Sequence, residues 1–174
     1  MMQMLTAGGM TALSDGEREA DTDNPRGYLE WERIKQLPQE PECVAEAEGK
    51  VVKVISQLLL CLPLTHEYRV VFMQRPLEEV LRSQDEMLRR RGTFDASAEH
   101  KALIAAFQNH LYEVNLWLSG EARSHVKLLR VAYINVLNDA HATAAKVAEF
   151  VGGGLDLDAM VKQVDVGLYR NRKK

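Results

Sequence analysis

The sequence predicts a three-layer α/β domain built on a parallel sheet, and three observations carry that expectation. Val51–Ile55, Arg69–Met73 and Val126–Tyr133 are short, rich in β-branched residues and apolar almost throughout, the pattern of strands covered on both faces. Longer stretches with a 3.6-residue apolar period separate and follow them. Strand and helix patterns alternate along the chain, which calls for right-handed crossovers within a parallel sheet.

The opening Met1, Met4 and Leu5 repeat at helical spacing and stop at Gly8-Gly9, where glycine can take left-handed dihedrals. No Ser, Thr, Asp or Asn precedes them to cap a helix start, so the sequence reads as beginning inside a helix. Thr11–Ser14 fits a short strand. Asp15–Arg26 is acidic and ends in Asn24-Pro25-Arg26-Gly27, a turn by residue chemistry. Tyr28–Leu37 reads as a short helix stopped by Pro38. Helical patterns then cover Pro76–Arg91, Ala96–Leu118, Ala140–Val151, closed by Gly152-Gly153-Gly154, and Asp156–Val164, before a basic tail from Tyr169 to Lys174.

At 174 residues, with no repeat or dividing linker, the chain fits one domain spanning 1–174. Its 22 basic and 25 acidic residues leave a formal charge of -3, so no global field favours nucleic acid or an anionic membrane. Cys43 and Cys61 have no Cys/His cluster around them and suit a reducing compartment. No apolar run approaches the ~20 residues of a membrane span, and the start lacks a basic signal-peptide region. The cytoplasm is the expected location.

Ligands of open parallel sheets bind beyond the carboxyl ends of the strands, which singles out Lys53, Arg75 and Tyr133. Arg75 precedes Pro76, a favoured first helical residue, so its guanidinium lies beside a positive helix end. Leu77, Val80, Leu81, Gln84 and Leu88 form the expected buried stripe of that helix, with Ser83 at its border facing the same cleft. The plainer alternative is an arginine closing a strand end and a serine at a helix margin. Arg82, Arg89 and Arg90 have Glu78, Asp85 and Glu86 four residues upstream and read as a self-paired solvated face. His110 continues the Leu103, Phe107, Leu111, Val114, Leu118 side of its helix. His66, His100, His125 and His141 show no metal-ligand spacing, and no metal is expected.

Phe72-Met73-Gln74-Arg75-Pro76-Leu77-Glu78-Glu79-Val80-Leu81-Arg82-Ser83-Gln84 resembles the stretch of sulfotransferases in which an arginine after a strand and a serine eight residues later hold the 3′-phosphate of 3′-phosphoadenosine 5′-phosphosulfate. Asp23-Asn24-Pro25-Arg26-Gly27-Tyr28-Leu29-Glu30 is similar to the Asn-Pro-x-Gly-Tyr-x-Glu segment of bacterial sulfotransferase-like P-loop proteins, and Val131-Ala132-Tyr133 to the family strand whose tyrosine lies near the adenine. The resemblance covers nearly the whole chain. It implies a P-loop-type parallel sheet of sulfotransferase topology, with Arg75, Ser83 and Tyr133 holding the nucleotide and a small-molecule or carbohydrate hydroxyl as acceptor. Small-molecule kinases share the topology, so ATP is the competing nucleotide.

The departures are specific. The family's glycine-rich loop, Gly-x-Pro-Arg-Ser-Gly-Thr-Ser in bacterial members, precedes a helix that begins much like Met1-Met2-Gln3-Met4-Leu5, so the chain reads as lacking the first strand and the phosphate loop. That removes the backbone nest for the 5′-phosphosulfate. An unpaired strand edge is then expected, with self-association as its hazard, and a non-catalytic protein that binds itself or a partner is the rival reading. Where cytosolic members carry Lys-Thr-His, this chain has Lys53-Val54-Ile55. Lys53 is expected beside the sulfuryl oxygens and the leaving phosphate, but Ile55 cannot take a proton. By position Glu30 resembles the glutamate base of carbohydrate sulfotransferases; as a first-turn acid it equally suits a helix dipole. Arg170 matches the family's late phosphate-closing arginine or a solvated tail.

Overall fold

The computed structural model describes residues 1–17, 20, 21, 24, 27–90, 92 and 100–168. Two of the three expected strands pair. β1 (Tyr68–Gln74) and β2 (Val126–Ala132) run parallel, from Tyr68 opposite Val126 to Gln74 opposite Ala132. Parallel pairing demands a long crossover, and here it carries α2 (Leu77–Arg90) and α3 (His100–Ser119). Both strands are apolar on two sides because each side meets its own core. Tyr68, Val70, Phe72, Val126 and Leu128 pack in one cluster with Trp31, Leu37, Leu59, Val114 and Leu118. Val71, Met73, Leu129 and Val131 alternate to the other, with Met4, Leu5, Val147 and Met160, as the two-residue period of a strand requires.

The second cluster is covered by α1 (Met2–Ala7), α4 (Tyr133–Asn138), α5 (Ala140–Val151) and α6 (Leu157–Val161). Asp139 and Asp156 cap α5 and α6, accepting from Ala142 N and Ala159 N at 2.9 Å. α5 ends where Gly152 takes φ 123 and Gly153 N donates to Ala148 O at 2.7 Å, the left-handed exit that glycine permits. α1 has no side-chain cap hydrogen bond.

Several expectations are corrected. Val51–Ile55 does not form a ladder strand: a single parallel bridge joins Val51 to Ala12, Leu13 N donates to Val51 O at 3.0 Å, and Ile55 is 55% exposed. A strand needs a hydrogen-bonding neighbour along its length, and the 11–13 segment supplies one for only a residue or two. Among the described residues the sheet is therefore two-stranded. The Tyr28–Leu37 helix shortens to a 3-10 turn, Glu32–Gln36, and Pro41–Ala47 and Ser56–Cys61 form two more 3-10 segments. Tyr133 starts α4 and is not the last residue of a strand. Gln84, placed in the buried stripe of α2, is exposed, while Leu81 is buried and Leu77, Val80 and Leu88 are half-buried. The expected helix residues 96–99 and the tail 169–174 lie outside the described residues.

The Gly8-Gly9 pair divides its work differently from expectation. Gly9 takes φ 113, whereas Gly8 is ordinary α backbone at φ -72 and is needed for space. A β-carbon on Gly8 would lie 2.8 Å from Met160 Cγ and 3.2 Å from Leu155 Cβ, and Met160 is 0% exposed. Overpacking a close helix contact costs about 1–3 kcal/mol, so Gly8→Ala is expected to lower unfolding free energy by that amount in urea titration. A variant as stable as the parent would show that α1 and α6 are not held in close contact.

Candidate functional site

The carboxyl end of the β1–β2 pair brings together two of the sequence-predicted residues, Arg75 and Tyr133. Because Gln74 lies opposite Ala132, the next residues, Arg75 and Tyr133, leave the sheet side by side. The guanidinium carbon of Arg75 lies 5.2 Å from the centroid of the Tyr133 ring, within cation–π range. Arg75 Nε donates to Glu79 Oε2 at 3.0 Å, and the side chains are 24% and 6% exposed. Glu79 and Ser83 are four residues apart in α2 and so share one helix face; Ser83 is half-buried. Glu79 thus ties Arg75 to the face that carries Ser83. Sequence reasoning did not assign Glu79 a role, although the four-residue offset applied to Arg82, Arg89 and Arg90 also connects it to Arg75.

The two candidate catalytic residues also meet. Lys53 Nζ donates to Glu30 Oε1 at 2.8 Å, with side-chain exposures of 38% and 18%, and stands 5.6 Å from the centroid of the Tyr28 ring. The segment before Glu30 is a built turn. Asn24 Nδ2 donates to Gly27 O, Tyr28 Oη donates to the Asp21 carboxylate at 2.7 and 2.8 Å, and Asp15 N donates to Glu30 O at 3.2 Å. The Asp15 carboxylate accepts from Glu32 N at 2.5 Å and from Glu17 N at 3.2 Å, and these bonds, the first foremost, hold its carboxyl below the usual range. Leu29, next to Glu30, adopts φ 46, a left-handed conformation that costs a non-glycine residue about 1–2 kcal/mol. Backbone strain therefore adjoins the candidate base, where the surrounding hydrogen bonds over-determine it.

The remaining candidates are dispersed. Asp23, Pro25, Arg26 and Arg170 lie outside the described residues. His110 Nε2 pairs with Ser56 Oγ at 3.0 Å, a packing role. Cys43 is buried in the first cluster, where burial pushes its thiol up, and Cys61 is a free thiol. Among the described residues no group of three or more His, Cys, Asp or Glu is placed to hold a metal, and no helix is long and apolar enough to cross a membrane. An open cleft of about 290 Å³ is lined by Arg130, Asn135, Asn138, Asp139, Thr143 and Lys146. It lies along β2 and α5, and the strand-end cluster remains the better candidate because several chemically suited groups converge there.

The two ion pairs differ in burial, and their energetics should differ accordingly. Arg75→Met removes a cation paired with a buried carboxylate and is expected to cost about 2–4 kcal/mol. Lys53→Met opens a pair in which the lysine is more than a third exposed and should cost under ~1 kcal/mol. Urea unfolding of the two variants checks the order; equal losses would mean that Glu79 does not depend on Arg75.

No family model matches the chain, and neither a curated protein nor a solved structure matches it.

Proposed function

We propose that the chain is a sulfotransferase-like α/β protein with a P-loop-type three-layer architecture, acting on 3′-phosphoadenosine 5′-phosphosulfate and an acceptor hydroxyl. The single observation that carries this reading is the Arg75 guanidinium stacked on Tyr133 at the carboxyl end of two parallel strands, with Ser83 on the helix face to which Glu79 ties that arginine. A planar guanidinium suits a phosphate, a hydroxyl adds a second donor, and an aromatic ring suits an adenine. The layered architecture draws support from the 51–54 segment. Its side chains alternate as those of β1 do, Val51 toward the second cluster and Val52 and Val54 toward the first.

In this reading Glu30 takes the proton of the acceptor hydroxyl. The acceptor oxygen attacks sulfur, the bond from sulfur to the bridging phosphate oxygen breaks with its electron pair, and adenosine 3′,5′-bisphosphate leaves. The Lys53 ammonium, held beside Glu30 at 2.8 Å, offsets charge collecting on the sulfuryl and phosphate oxygens. The residues named here contact the 3′-phosphate and the adenine, and each charge-assisted bond to a phosphate is worth roughly 1.5–3 kcal/mol.

A second reading has its own supporting observation. Arg75 and Lys53 are both ion-paired within the chain, which is how purely structural cations look, and a non-catalytic protein would use them so. Calorimetric titration separates the two. The sulfotransferase-like reading predicts tighter binding of adenosine 3′,5′-bisphosphate than of ATP. It also predicts a loss of at least ~10-fold in Arg75→Lys, because lysine cannot offer a planar fork, and about 5–10-fold in Ser83→Ala. Glu30→Gln should abolish sulfate transfer while leaving nucleotide affinity within about twofold. Preference for ATP would indicate a small-molecule kinase-like protein, and no binding of either nucleotide would leave the non-catalytic reading.

A further inference from the structure

Glu79 is the one charged residue buried among the described residues, at 5% exposure. A carboxylate removed from water recovers its lost hydration only in part by pairing with a cation, so a buried ion pair is a poor stabiliser beside an apolar residue of similar volume. The start of α2 does not need it either, because Glu78 lies in the same turn, exposed, where an acid suits the helix dipole. What Glu79 supplies is direction. Arg75 Nε donates to its Oε2 at 3.0 Å, and the Tyr133 ring centroid lies 5.2 Å from the guanidinium carbon. A guanidinium offers its N–H groups in one plane as a fixed fork, so a bond at Nε together with an aromatic face sets how that fork is aimed.

We propose that Glu79 is a positioning residue, whose hydrogen bond aims the Arg75 guanidinium at a ribose 3′-phosphate and so sets the preference for nucleotides that carry one. This rests on the nucleotide reading above and adds to it the residue on which 3′-phosphate specificity depends. Ser83 follows Glu79 by four residues on α2, so the same bond also fixes the fork relative to the hydroxyl of the second candidate donor. Glu79 does not hold the phosphate itself, since two anions repel at close range. Its carboxylate therefore has two opposed effects: the bond to Nε favours the phosphate by orienting Arg75, and the negative charge disfavours it. Substitution separates them. Glutamine has the same length, and its amide oxygen accepts from Nε, so the aim is kept and the charge removed. Aspartate keeps the charge but is one methylene shorter, and leucine fills the space with no acceptor.

The readout is the ratio of two dissociation constants, for adenosine 5′-monophosphate and for adenosine 3′,5′-bisphosphate, titrated calorimetrically against the full chain and its variants. The parent is expected to favour the bisphosphate by at least ~10-fold, and Glu79→Gln to keep that preference or increase it. Glu79→Leu and Glu79→Asp should bring the two ligands to within about twofold of each other, while the monophosphate, lacking the group that Arg75 meets, binds every variant within about twofold of the parent. Far-UV circular dichroism confirms the fold of each variant, and the aspartate variant carries the test where the leucine variant does not fold. A merely structural Glu79 would move the urea midpoint and leave the ratio alone. A parent that prefers the bisphosphate, with the same preference in the aspartate and leucine variants, overturns the positioning role by itself. Loss of the preference in Glu79→Gln also overturns it, because glutamine preserves the aiming bond. A parent that binds both ligands equally overturns the nucleotide reading, and this role with it.

Discussion

The parallel register that sets Gln74 opposite Ala132 is the constraint on which the strand-end cluster depends. Side chains alternate faces along a strand, so a slip of one residue would send Val71 and Met73 into the wrong core and carry Arg75 away from Tyr133. Two separate apolar clusters pin the register from both sides, each requiring its own alternate set of residues. The core thereby delivers two polar side chains, 58 positions apart in sequence, to one place.

What is built there differs between the two pairs. Arg75 is locked from two directions, by a carboxylate buried in the first turns of α2 and by an aromatic face, so little conformational freedom is left to its side chain. Lys53 and Glu30 form a looser pair, on a turn whose strain at Leu29 is held by the bond that the Asp15 carboxylate accepts from Glu32 N and by those that Asp15 N and Asn24 Nδ2 donate to Glu30 O and Gly27 O. Arg75 is thus the more buried and more firmly held of the two cations.

Much of the fold was legible because local chemistry and tertiary context agree. The runs at Arg69–Met73 and Val126–Tyr133 were apolar on both faces and met cores on both. The Gly152 stop fell where residue chemistry placed it, and the last helix opens after Asp156, where its pattern began. Val51–Ile55 has the same composition, yet a strand is a property of a pair, and no run of β-branched residues shows whether a neighbour spans its length. The 3-10 segments at Pro41–Ala47 and Ser56–Cys61 carry no 3.6-residue period, so periodicity could not find them. In the candidate site, Arg75 and Tyr133 were legible from strand-end placement. Glu79 was not singled out because its role depends on burial, which spacing alone does not give.

The most direct test of the strand-end account asks whether the protein recognises a ribose 3′-phosphate. Titrating it with adenosine 3′,5′-bisphosphate and with adenosine 5′-monophosphate isolates that group, since the two ligands differ only there. The account predicts at least ~10-fold tighter binding of the bisphosphate, the worth of one charge-assisted contact. Equal affinities would contradict it.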